Sequence, residues 1–192
     1  LEAFEMGLAL HKVYDVIWSE LCDWYIELSK AKLYEGTDKQ KSSTKAVLYH
    51  VLMSALKLLH TFMPFVTEEI YQAFAGREKS IMVEKFPEFS DEMSFEEAAK
   101  MEQVKDIIHK IRNIRAQMNV PANKKTTIYI CANNGIDLTD SKDYIARLAS
   151  GEKVEFIYEN PDDSSMVSIV SDAGSIYLPM NELIDFEKEI ER

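Results

Sequence analysis

Hydrophobic spacing changes at Pro121, and no other feature of the sequence constrains the fold as strongly. Before that residue, apolar side chains recur at three and four. The series Phe4, Leu8, Tyr14, Trp18, Leu21, Tyr25 and Leu28, widened by Val13, Ile17 and Trp24, predicts a long, much-buried helix over residues 4–28. The polar run EGTDKQKSS reads as a loop in which Ser42 or Ser43 caps a second helix, carried to about Thr61 by Leu48, Val51, Leu52, Ala55, Leu58, Leu59 and Phe62. Pro64 is expected to break it. Thr67, Glu68 and Glu69 then open a short helix with their acids at its positive end, and residues 81–86 read as extended. Adjacent helical carboxylates do not face each other, so dipole stabilisation explains Glu68 and Glu69 better than acid-base chemistry does. Ser94 followed by Glu97 is a capping-box signature for a helix over 95–118, with Val104, Ile107, Ile108, Ile111, Ile114 and Met118 on its core side. Four such helices make an antiparallel bundle.

After Pro121 the content turns β-branched and aromatic. TTIYICA is a strand, NNG a turn, residues 140–150 a helix, KVEFIY a second strand, and SMVSIVSDAGSIYLPM two strands joined at Asp172, Ala173 and Gly174. The expected class is α+β: mainly an antiparallel α-helical bundle over 1–122, then a small β-α-β-β-β unit over 123–180. NELIDFEKEIER begins a further helix over 181–192.

Several classes of chemistry find no support. There is no run of about 18 apolar residues and no basic start with an apolar middle, so the expectation is a cytoplasmic protein with no membrane contact. Cys22 and Cys131 lie far apart without a CxxC pairing, which fits buried free thiols, and no metal is expected. His11, His50, His60 and His109 fall in predicted helices outside any catalytic pattern, and the six glycines form no phosphate-cradling loop. Trp18, Trp24 and Tyr25 have the spacing of core aromatics, the preferred reading over base stacking.

One segment runs against the charge of the whole. The chain holds 22 Lys+Arg against 33 Asp+Glu, a formal charge of -11, yet residues 105–125 carry six basic residues and one acidic. With the isoleucines turned inward, Lys105, His109, Arg112 and Asn119 fall near one line, Arg115 lies beside Arg112, and Lys124 and Lys125 follow the proline. Guanidinium groups bind phosphates in bidentate fashion and stack on bases, and an asparagine can read a base edge. The other reading pairs these cations with carboxylates of neighbouring helices, or uses the arginines to lock the helices to the α/β unit.

Three stretches carry a resemblance. LLHTFMPFVTEEIYQ resembles the LLHPFMPFITEEIW segment in the anticodon-binding helical bundle of class I aminoacyl-tRNA synthetases for branched aliphatic amino acids. CDWYIELSK and IRNIRAQMNVPANKK are similar to CDWYIELAK and VRNIRAEMNVPPSKK of the valyl-tRNA synthetase family, with Thr61, Tyr71, Gln117, Ala122 and Asn123 departing from it. The resemblance implies tRNA as partner, with the rest of a synthetase chain in cis and a first bundle helix preceding Leu1. It also implies a C-terminal coiled coil beginning in NELIDFEKEIER. HIGH and KMSKS segments are absent from the 192 residues, so ATP is expected in the full-length enzyme, with no cofactor in this segment and no valine activation by it.

Overall fold

The computed structural model describes residues 5–74, 79–88, 90, 95, 97–133, 136–159, 161 and 165–183. Two compact units divide between Ser90 and Asp91. In the first, helix α1 (Met6–Asp15), a π-helical segment (Val16–Tyr25) and α2 (Ile26–Tyr34) run on without a break, since Val16 and Ile26 keep right-handed helical backbone angles. The Ile26 N–H bonds to the carbonyl of Leu21, five residues back, as π geometry requires. The rod is less buried than its periodicity predicts: Leu21 and Trp24 are covered, while Tyr14 and Trp18 stack on each other, each more than half exposed. Phe4 lies outside the described residues.

Helix α3 (Asp38–His60) starts earlier than expected, and Thr37 rather than a serine caps it. The Thr37 hydroxyl accepts the Gln40 N–H at 3.3 Å and the Gln40 side chain accepts the Thr37 N–H at 2.8 Å. This reciprocal box satisfies two donors left free by the first turn. Only three residues separate α2 from α3, which makes the pair antiparallel, and a Cβ on Gly36 would fall 2.3 Å from the Lys32 carbonyl oxygen. Pro64 opens α4 (Pro64–Gln72) instead of merely ending α3, because a first-turn residue needs no N–H. Thr67 is therefore interior and buried, its hydroxyl donating to the Met63 carbonyl at 2.8 Å and meeting His60 Nδ1 at 2.7 Å.

Glu68 accepts the Gln72 side chain at 2.7 Å, the Ser80 hydroxyl at 2.8 Å and the Ile81 N–H at 3.1 Å. These bonds, the Gln72 side chain first, then Ser80 and Ile81, hold its carboxyl below the ordinary value of 4.5. The carboxylate anchors a following segment, which is a different role from the helix-dipole one expected. That segment is a 3-10 turn at Ile81–Val83, not an extended piece, with Ile81 buried against Met53, Leu56 and Tyr71.

The second unit holds α5 (Glu97–Gln117), β1 (Thr126–Ala132), α6 (Lys142–Leu148), β2 (Gly151–Phe156), β3 (Met166–Ser171), β4 (Gly174–Pro179) and α7 (Met180–Leu183). Sheet order is β2-β1-β4-β3, with β1 parallel to β2 through the α6 crossover and antiparallel to β4. The succession of elements along the chain, with its single crossover helix, matches the β-α-β-β-β expectation. Helix α5 belongs with this sheet, so the helix assigned to the bundle over 1–122 packs in the α/β unit. Alternate residues Ile128, Ile130, Ile176 and Leu178 are buried on the helix-covered face, where α5 packs on β3 and α6 on β2. Val104, Ile107, Ile108 and Ile111 fill that space from α5 with no exposed surface. Ser94 and the stretch 184–192 lie outside the described residues, and with them the expected capping box and coiled coil. Cys22 is exposed and Cys131 half-buried, both free, so the expectation of buried thiols fails at Cys22. Among the described residues no helix is long and apolar enough to cross a membrane.

Candidate nucleic-acid interface

The basic segment forms the end of α5 and the loop into β1. Helix α5 closes in two bonds: Val120 N–H reaches back to the Arg115 carbonyl at 2.9 Å, and Asn119 N–H to the Ala116 carbonyl at 3.1 Å. Asn119 itself takes φ 52, the left-handed conformation that such a helix end needs and that asparagine tolerates. Its identity thus has a backbone reason independent of base reading. Pro121, without an N–H, follows, and the Lys124 N–H bonds to its carbonyl at 3.1 Å to make the turn that leads into Thr126.

The seven residues singled out in the sequence separate into two groups. Lys105 is buried, its ammonium 2.8 Å from Glu102, and Arg115 is only 5% exposed. Arg115 Nη2 donates to the carbonyls of Pro121, at 3.2 Å, and Lys124. Burial pushes its guanidinium pKa down, since desolvation disfavours the charged form. Lys110, a basic neighbour, is paired with Asp106 at 2.9 Å. His109, Arg112, Asn119 and Lys125 are exposed, and Lys124 is half-buried. Arg112 Nε donates to the Leu148 carbonyl at 2.8 Å, which ties α5 to the end of α6 and fixes the height of the guanidinium on the helix. Among the described residues neither Lys124 nor Lys125 has an ion-pair partner.

Arg112 and Arg115 both donate to backbone carbonyls, those of Leu148 and of Pro121 and Lys124. A carbonyl accepts from a guanidinium without neutralising it, so these bonds leave the positive charge at the end of α5 in place. Sequence periodicity puts Lys105 near one line with His109, Arg112 and Asn119, but α5 is covered on more than one side, which a helix-bundle reading does not anticipate. It also missed Glu182, whose carboxylate accepts the Thr127 N–H at 2.6 Å and the Thr126 hydroxyl at 2.9 Å. The far end of the basic loop is thereby fastened to α7, and no local motif signals a contact across so much intervening chain.

A cleft of about 290 Å³ lies at the carboxyl ends of β1 and β2, between Ala132, Leu138 and Phe156. On its rim Asp137 accepts the Thr139 hydroxyl and N–H, which depress its pKa and keep it ionised. A fixed anion there disfavours a phosphate ligand, in contrast to the loop around Lys124.

A family model described as the anticodon-binding domain of tRNA ligase matches residues 1–130, a span that contains the whole basic segment. The chain is 47% identical over 195 residues to a valine–tRNA ligase of Clostridium tetani, an alignment covering 100% of this chain and 22% of that protein. It is 40% identical to the valine–tRNA ligase of Clostridium perfringens and 37% identical to that of Geobacillus stearothermophilus, each covering 100% of this chain and 22% of the relative. The chain spans about a fifth of the length of the curated relatives it matches. Since the family model accounts for well over half of its residues, the chain belongs to the family of tRNA-ligase anticodon-binding domains.

Proposed function

We propose that this chain binds and orients the anticodon arm of a valine-specific tRNA, as the RNA-recognition part of a longer valine–tRNA ligase whose ATP and valine sites lie elsewhere in the protein. The family match that includes residues 105–125 carries the reading, and three features of the site support it. The end of α5 concentrates positive charge in a chain of net -11. Arg112, Asn119 and Lys125 are exposed there with Lys124 beside them. Their backbone is held in one conformation by helix-end bonds and by Arg115. A mostly acidic body with one confined basic patch suits selective RNA binding, because the body repels stray polyanions while the patch aims one arm. Unpaired loop bases can be splayed and read on their edges, which makes the anticodon loop a fitting target.

The test is a gel shift of transcribed valine tRNA against a salt series, with a tRNA of another specificity as competitor. The reading expects selective binding that weakens with salt, and loss of about 0.7 units of log–log slope for each phosphate contact removed by Arg112→Ala or Lys125→Ala. Equal competition by any tRNA would remove valine specificity from the reading, and no RNA binding would favour an acidic protein-interaction or structural module instead.

A further inference from the structure

We propose that Arg115 is a positioning residue for RNA binding, which acts through Lys124 and Lys125 and does not touch the RNA itself; this rests on the functional reading above. Arg115 is only 5% exposed, too little for its guanidinium to present a face to a phosphate or a base. Instead its Nη2 bridges two carbonyls of the basic loop, Pro121 and Lys124, three residues apart. The Arg115 carbonyl meanwhile accepts Val120 N–H, so one residue grips both the start and the end of the segment 119–125.

Burial of this charge has a cost that local stability does not explain. Among the described residues Nη1 is buried without a hydrogen-bond partner and no carboxylate pairs with the group. A well-packed apolar side chain of similar volume would avoid both penalties. What an apolar residue cannot supply is a planar fork that fixes two carbonyls at once. The carbonyl fixed is that of Lys124, which like the following Lys125 has no ion-pair partner among the described residues. The far side of the same segment is fastened by Glu182 through Thr126 and Thr127. The loop is thus clamped at both ends, and its lysines stand between the buried Arg115 and the half-buried Glu182 that hold the backbone, leaving their ammonium groups for a ligand.

The experiment is a double-mutant cycle in the full-length polypeptide, read as tRNA affinity well below the melting temperature with folding checked by circular dichroism. Four variants are compared: Arg115→Met, Arg115→Lys, the pair Lys124→Ala with Lys125→Ala, and Arg115→Met combined with that pair. Arg115→Met is expected to weaken binding on the order of tenfold, and to have no further effect once both lysines are gone. Arg115→Lys keeps the charge but not the fork and should leave most of the loss in place. Additive losses, or full recovery in Arg115→Lys, would overturn the proposal, since either means that the charge of Arg115 acts on RNA directly. An unchanged affinity in Arg115→Met with a normal loss in the lysine pair would also overturn it. If the lysine pair alone binds as the parent does, the assignment of the loop as the RNA contact fails, a result distinct from failure at Arg115. Should Arg115→Met not fold, Arg115→Lys in the presence and absence of the two lysine changes completes the same cycle.

Discussion

The two compact units bury their apolar residues to very different extents. In Asp91–Arg192 the isoleucines at 107, 108, 111, 128, 130 and 176 have no exposed surface, and the sheet and two helices complete one another. In Leu1–Ser90, Tyr14, Trp18, Met82 and Val83 are more than half exposed, and Phe65 is 90% exposed. The same amphipathic spacing is present in both. Periodicity therefore states which side chains share a face, and it is silent on whether anything covers that face.

Four substitutions sharpen this contrast. Ile111→Ala removes fully buried volume between α5 and the sheet, so chemical denaturation should show a loss of about 2 to 5 kcal/mol. Thr37→Ala deletes the capping box of α3, and the same measurement should lose about 1 kcal/mol. Trp18→Ala should cost less than about 1 kcal/mol, because its neighbour is the equally exposed Tyr14. A Trp18 loss as large as that of Ile111 would break the comparison, by showing that the open helix face is covered in solution.

The smallest effect is one of pH. Glu68 has a folded-state pKa depressed below 4.5 by Gln72, Ser80 and Ile81, so the stability it contributes is complete above that value and is lost as pH falls through the folded value. Melting temperature should fall more gently with acid in Glu68→Gln than in the parent. Equal slopes would show that the anchor to Ser80 and Ile81 does not persist in solution.

Much of the architecture was legible in the sequence, for reasons that particular residues make plain. Alternation in TTIYICA and the DAG turn at 172–174 specify local geometry, and the strands formed where they indicated. A Cβ on Gly174, at φ 143, would lie 2.1 Å from the Cys131 carbonyl oxygen, so this glycine encodes a close approach as well as a turn. Helix starts were read less well at Thr37 and Pro64, where serines and a threonine further on offered equally good local chemistry. Which partner α5 packs against was not legible, because an isoleucine stripe fits a helix bundle or a sheet equally. That ambiguity is also why Lys105 and Arg115 were grouped with exposed cations. The basic segment was visible from charge alone, but only the fold separates Arg115, which holds the loop, from Lys124 and Lys125, which the loop displays.

The central claim is that the end of α5 and its following loop meet RNA. Amide hydrogen exchange of the full-length polypeptide, with and without an isolated valine-tRNA anticodon stem-loop, tests it most directly. The account predicts added protection concentrated at residues 112–125, reduced by salt and by Lys124→Ala with Lys125→Ala. Protection confined to residues 5–74, with 112–125 unchanged at saturating RNA, would contradict it.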